Sequence, residues 1–359
     1  MSGRFFILIL SLKIMFFRHL TRTAATLSCI ALTVLTTGCG NNKPIRLQGE
    51  AQGSYYTISY YDKQQRNLQS SIDSLLRLFD TTASLWVDNS MIRQVNEGKD
   101  SIVNRWFADM LQYSVDMHNY TNGCFDCTIG PLVNAWGFGF SKQQELSEQL
   151  IDSLKMHIGK QPYIIYDSTR GYIIRKPDPN IAIDFNAIAQ GYSTDLVSHF
   201  LESKGISNYI VDIGGEVYAK GEKPDGTPWR VGIERPAENQ YSAPEIETTI
   251  DVRNKAIVTS GSYRKYYEKD GIRYSHTIDP TTGRPVTHSL LSVTVVDTAA
   301  WRADALATAF MVMGLDRAKE FIDAHTNDRG TQAVFFIYSE GGEYRHYSTP
   351  GFKSLINNH

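Results

Sequence analysis

The run Arg302-Ala-Asp304-Ala-Leu-Ala-Thr308-Ala-Phe310 constrains this chain more than any other nine residues. A carboxylate and a hydroxyl lie four apart among alanines and large apolar side chains, with no Lys beside them. Read as a helix, the run points positions 304 and 308 the same way, one turn apart. A buried unpaired charge is very costly, so that face must meet a cation or water. Two readings follow. Asp304 is the N-cap of a helix beginning at Ala305, with Thr308 bonding back inside it. Alternatively, oxygen ligands hold Mg²⁺ beside a phosphate.

A chain of 359 residues with 42% apolar content can bury the core of one large domain or two closely packed ones. Its 36 basic and 38 acidic residues nearly balance, and no basic tract is present, so nucleic acid is excluded as a partner. The first residues read as a targeting segment. Residues 5–17 are apolar apart from Ser11 and Lys13; Arg18, His19 and Arg22 follow, and a second apolar stretch from Ala24 to Leu35 leads to Thr36-Thr37-Gly38-Cys39. We assign residues 1–38 as a signal peptide, with Met15 as an alternative start, and residues 39–46 as a polar tether. The small residues before Cys39 resemble a bacterial lipobox, although Leu35 stands one position early. That resemblance implies an acylated Cys39 and a protein anchored by lipid in the bacterial cell envelope, facing the periplasm. An ordinary signal peptide or a transmembrane anchor is the alternative. Beyond the signal and Cys39 only Cys124 and Cys127 are left, too few ligands for a structural zinc site. A redox pair in an oxidising compartment and two packing residues both stay open.

Residues 54–61 read as an aromatic, β-branched strand, followed by an amphipathic helix from about Gln64. Helices are expected at about 104–120, 143–157 and 186–203, and residues 123–140 read as a Gly/Pro/aromatic loop. Tyr163–Tyr166 and Tyr172–Arg175 look like a hairpin, and Ile181–Asp184 like a short strand. The remainder is strand-rich, with further helices around Asp304 and at 316–325. Strands and helices mix without strict βαβ alternation, which gives an α+β class.

Four further stretches have the composition of site loops. Asp126 sits in a Gly-bounded turn after Cys124 and Phe125. Asp184-Phe-Asn-Ala187-Ile-Ala-Gln190-Gly191 is a strand-to-helix junction, where free N–H groups and the helix dipole suit an anion. Asp212-Ile-Gly-Gly-Glu216 runs a strand into a double-glycine turn. Thr259-Ser260-Gly261 precedes His276-Thr277-Ile-Asp279-Pro280, where His276 borders a polar turn with an ordinary pKa close to working pH. Each stretch also has a purely structural reading: a tight turn, a cap, a hairpin, a satisfied core histidine. P-loop, dinucleotide-fingerprint and HExxH patterns are absent from the sequence.

Taken in order, Gly53-x-x-Tyr56, Ser84-Leu-Trp86, Phe125-Asp-x-Thr-x-Gly-Pro-Leu132, Asp184 to Gly191, Asp212 to Glu216, Trp229 to Pro236, Thr259-Ser-Gly-x-Tyr263, His276 to Pro280 and Ala303 to Thr308 resemble the ApbE family of flavin transferases. The resemblance spans about residues 47–340. It implies one large ApbE-like (T-fold-like) domain over 47–350, with mixed and antiparallel sheets flanked by helices. It further implies an enzyme that binds FAD and Mg²⁺, moves FMN onto a Thr or Ser hydroxyl of an acceptor protein and releases AMP; the acceptor would fit a subunit of a membrane redox complex. The implied metal ligands are the Ala187 carbonyl, the Asp304 carboxylate and the Thr308 hydroxyl. The implied FAD contacts are Gln52, Gly53, Trp86, Cys124, Phe125, Asp126, Asp184, Gln190, Ser260, Gly261 and Thr277. His276 is our choice for the base, beside Asp304 as the catalytic metal ligand. Departures are Gln190 for a frequent Lys, Ser262 for a common Asp and Cys127 for a usual Pro. Water as the acceptor would instead make an FAD pyrophosphatase, and lapsed chemistry would leave a flavin-binding lipoprotein.

Overall fold

The computed structural model describes residues 43–139, 146–236, 245–262, 266–269, 272–327 and 333–357, with only the backbone described at 266–269 and 272–274. The signal segment and Cys39 lie outside the described residues. An eight-stranded sheet runs in the order Ile45–Ala51, Ser54–Tyr60, Tyr209–Ile213, Glu216–Lys220, Lys255–Gly261, Leu290–Asp297, Val334–Glu340 and Glu343–Ser348. Every neighbouring pair is antiparallel, so spatial order follows chain order. The long connections between successive strands therefore carry the helices and the site loops.

Alternation along the strands divides the apolar side chains between two faces. Ala256, Val258, Val293, Val295, Val334 and Phe336 pack against Leu306 and Phe310 of the helix Ala300–Ala324. Ile257, Val296, Phe335 and Ile337 turn to the other face, under Trp229, Ile250 and Phe352. Towards the first strands, Tyr56, Ile58 and Val211 meet Ile72 and Leu76 of the helix Gln69–Ala83 and Val197 and Leu201 of the helix Ala189–Ser203. The described residues within 44–61 and 66–357 belong to one compact unit. In the turn Asp62–Gln65, the Gln65 N–H donates to the Asp62 carbonyl at 3.0 Å.

The α+β class holds, and several expected elements shift. The helix near 186 begins at Ala189, because Asp184–Ile188 form a turn with Ile188 and Ala189 N–H donating to the Phe185 carbonyl. Ile181–Asp184 is not a strand: Ala182 makes a single bridge to Ile129, and the Asn96 side chain takes both backbone groups of Ile183. The 123–140 loop contains a short helix, Gly130–Ala135, with Pro131 in its first turn. The two helices expected at the C-terminal side are present, meeting at a kink within Ala300–Ala324 where Gly314 is non-helical with φ 76° and ψ 172°. His288 Nε2 lies 2.8 Å from the Met311 carbonyl at that break. The helix expected at 143–157 is Glu148–Lys155, capped by Ser147; residues 140–145 are not among those described.

Candidate functional site

The helix carrying Asp304 and Thr308 begins at Ala300, with Ala299 as an N-cap whose side chain makes no bond. Asp304 thus lies in the second turn and is not the cap of a helix starting at Ala305. Its neighbours Ala303, Ala305, Ala307 and Ala309 are all fully buried, and these small side chains bring the helix close to the sheet. Thr308 breaks the buried run and is half-exposed. Its Oγ1 lies 3.4 Å from Ser260 Oγ, at the end of the strand Lys255–Gly261 beside Gly261.

A second helix, Ala189–Ser203, crosses the first at Gly191. A Cβ added there would stand 2.4 Å from the Ala300 carbonyl oxygen and 2.8 Å from Trp301 Cα, so only glycine permits the approach. Across this crossing the Gly191 N–H donates to Asp304 Oδ2 at 3.1 Å. In an unbroken helical ladder that N–H would serve the Ala187 carbonyl. Among the described residues, no donor reaches the Ala187 carbonyl instead.

Asp304 is 5% exposed, and among the described residues no cation faces it. Burial pushes its carboxyl up to about 7, with the Gly191 N–H pulling the other way. A carboxylate in such a place is stabilised by a proton or by a bound cation. The oxygens carried by the crossed helices and the turn before them are the Asp304 carboxylate, the Thr308 hydroxyl and the Ala187 carbonyl, a set suited to a hard cation that completes its shell with water and substrate oxygens. The described residues hold no cluster of three or more His, Cys, Asp or Glu side chains with metal-ligand geometry. A site with a single carboxylate is outside that pattern, and the residues present fit Mg²⁺.

Two glycine turns border the crossing. Gln52 and Gly53 form the tip of the first hairpin, both with positive φ (55° and 71°), as a two-residue turn between twisted strands requires. Both polar atoms of the Gln52 amide are buried with no hydrogen-bond partner. Orphaned buried amide groups are costly, so this amide is open to a bound molecule or a water. The adjacent tip holds Gly214 and Gly215, with Gly214 N–H donating to the Tyr55 carbonyl at 2.9 Å. Gln190 lies over Gly214: a Cβ there would be 2.1 Å from Gln190 Nε2.

The remaining expected residues fall on a loop wall, around an exposed tryptophan and at the helix junction. On the wall, Asp126 Oδ1 accepts from Thr128 N–H (2.7 Å), Thr128 Oγ1 (2.6 Å) and Gln161 Nε2 (3.1 Å), and Oδ2 faces His118 Nδ1 at 3.3 Å. Burial alone would raise the Asp126 carboxyl, but these partners outweigh it and hold the group below the usual carboxylate range. Phe125 is buried, and Cys124 and Cys127 are buried free thiols whose pKa burial raises. Cys124 Sγ accepts from Arg317 Nη2 at 3.3 Å. Trp136 Nε1 donates to the Gly283 carbonyl at 2.9 Å, tying this loop to the 279–285 turn. There His276 meets the edge of Phe138 with ring centroids 6.3 Å apart, and Thr277 N–H donates to Ser275 Oγ. Trp86 projects from the loop after Gln69–Ala83 and is 66% exposed. Asp184, raised by burial, accepts from the Asn186 N–H at 2.8 Å and so shapes the turn before Ala187. Thus Gln190, Gly191, Asp304, Thr308 and Ser260 are joined by contacts, Gln52 and Gly53 border them, and Asp126, Cys124, His276 and Thr277 occupy the loop wall.

Sequence reasoning missed Asp195, whose carboxylate caps the Asp304 helix, and Asn96, which braces Ile183. The signal for Asp195 was indirect. Ala299 and Ala300 cannot cap a helix, so its first amides had to find an acceptor elsewhere.

The fold is shared with solved flavin transferases. The flavin transferase ApbE from Vibrio cholerae superposes with a TM-score of 0.75 at 33% identity, covering 87% of this chain and 99% of that one. The ApbE protein of Thermotoga maritima gives the same TM-score at 25% identity, over 88% and 100% of the two chains. The FAD:protein FMN transferase of Escherichia coli is 34% identical over 318 residues, 86% of this chain and 88% of that one. The ApbE family model matches residues 52–335, and the chain belongs to the ApbE family.

Proposed function

We propose that this chain is a Mg²⁺-dependent FAD:protein FMN transferase, held by a lipid on Cys39 at the periplasmic side of a bacterial membrane. One observation carries the metal reading. The Gly191 N–H serves the Asp304 carboxylate rather than the Ala187 carbonyl of its own helix start, and among the described residues no cation neutralises that carboxylate. When bound there, Mg²⁺ supplies charge neutralisation for a diphosphate.

The chain's own residues do the rest by positioning, as suits reactions at a phosphoanhydride. Gln52, Gly53 and the turn at Gly214 give a close backbone approach for FAD, and the exposed face of Trp86 offers a ring to stack on flavin. In the transfer, the acceptor hydroxyl oxygen bonds to the FMN phosphorus while the bond to the AMP phosphate breaks. AMP leaves with the bridging oxygen, and the hydroxyl proton passes to His276. A general base of this kind contributes about 10²–10⁴-fold. Gln190 can hydrogen-bond a phosphate but adds no charge, so neutralisation falls on the cation.

Incubation with FAD, Mg²⁺ and a candidate acceptor from a membrane redox complex, followed by weighing the acceptor, tests the proposal. A gain equal to FMN on a Thr or Ser, with release of AMP, is expected. Free FMN and AMP with no gain by any acceptor would make the protein a pyrophosphatase. FAD bound with neither product would leave a flavin-binding lipoprotein.

A further inference from the structure

The helices that carry the proposed ligands exchange acceptors. Gly191 of Ala189–Ser203 gives its N–H to Asp304 of Ala300–Ala324. One turn further along the first helix, Asp195 returns its carboxylate: Oδ1 accepts from Ala300 N–H at 2.9 Å and Oδ2 from Trp301 N–H at 3.0 Å. Asp195 is buried, and both its oxygens are used in this clamp. The nearby residues that could have capped the helix are otherwise engaged. Asp297 Oδ2 takes Arg302 Nη1 at 2.6 Å, and Thr298 bonds to Asp297 Oδ1.

A cap from the helix's own chain would satisfy the same amides. A cap from the neighbouring helix also fixes how far one helix slides along the other. That distance matters here because the oxygens are divided: the Ala187 carbonyl precedes the first helix, and Asp304 and Thr308 lie on the second. The Gly191 crossing permits the approach but does not by itself prevent sliding. The paired bonds Gly191–Asp304 and Asp195–Ala300/Trp301, one turn apart, do.

We propose that Asp195 is a positioning residue for the metal site: it sets the register of the two helices, and with it the spacing of the Ala187, Asp304 and Thr308 oxygens. The inference rests on the metal reading above, and Asp195 itself touches none of those oxygens.

Calorimetric titration of Mg²⁺ into the FAD-loaded full chain, without acceptor, tests it. Asp195→Ala is expected to raise the apparent Mg²⁺ dissociation constant at least tenfold, while FAD affinity in the presence of a chelator changes less than twofold. Asp195→Asn keeps the volume and one acceptor, so it should fall between the two, and it carries the test if the alanine variant does not fold. A lost cap that only loosened the fold would not separate Mg²⁺ from FAD affinity in this way. Wild-type Mg²⁺ affinity in Asp195→Asn, with affinity lost in Asp304→Ala, overturns the clamp alone. Wild-type affinity in Asp304→Ala overturns the ligand assignment and the clamp with it.

Discussion

The Gly191 N–H donates to the Asp304 carboxylate across the crossing of two helices. This one bond commits to the neighbouring helix an amide that a helical ladder would give to the Ala187 carbonyl. Asp304→Asn keeps the shape and removes the charge. Loss of an outer-shell partner costs a metal site about 10–100-fold, so loss of a ligand should lower FMN transfer by more than about 100-fold. Comparison of transfer rates at saturating FAD over a Mg²⁺ series checks this. A wild-type rate at every Mg²⁺ concentration would remove Asp304 from the site.

Gly191→Ala places a methyl group against backbone atoms of Ala300 and Trp301, which cannot rotate away. Overpacking of this kind costs about 1–3 kcal/mol. Urea unfolding should show that loss, together with weaker Mg²⁺ binding. Unchanged stability would mean that the helices cross less tightly than described.

Asp195 titrates near 6, raised chiefly by burial; the Ala300 and Trp301 amides and His199 oppose the rise, and Asp297 adds to it. A carboxyl raised above its unfolded value favours the native state when protonated. Its stabilisation is full below about pH 4 and fades as pH climbs through about 6. Relative to Asp195→Asn, the wild type should therefore lose on the order of 3 kcal/mol between pH 4 and pH 7. Unfolding free energies at both pH values measure it, and a difference that does not move with pH contradicts the assignment.

Trp86 is mostly solvent-exposed, so Trp86→Ala should leave unfolding within about 0.5 kcal/mol of wild type. Base-to-aromatic stacking is worth about 1–3 kcal/mol, and a flavin offers a comparable ring, so FAD affinity should fall at least about fivefold. Fluorescence titration with FAD decides it. Equal affinity would place Trp86 away from the flavin.

How much of this was legible in the sequence depends on how local each signal is. Local signals located three helices: apolar periodicity the one around Ile72, and the stops at Gly123 and Gly205 those around Phe107 and Leu201. The pairing of Asp304 with Thr308 was readable from a spacing of one turn. Ile181–Asp184 misled because its apolar alternation serves burial beside Asn96 rather than a ladder. The two helices that meet at the Gly314 kink, by contrast, were legible as two. Asp195 escaped notice because its partners lie far along the chain, and nothing local marks a cap supplied by another helix.

The position of the cation when FAD is bound is the central point. Crystals of the full chain grown with FAD and Mn²⁺ in place of Mg²⁺, with data collected at the manganese absorption edge, address that directly. One anomalous peak at about 2.0–2.3 Å from the Asp304 carboxylate, the Thr308 hydroxyl and the Ala187 carbonyl, in contact with the FAD diphosphate, is predicted. A diphosphate bound with its metal on other side chains, and with the Gly191–Asp304 pair untouched, would contradict it.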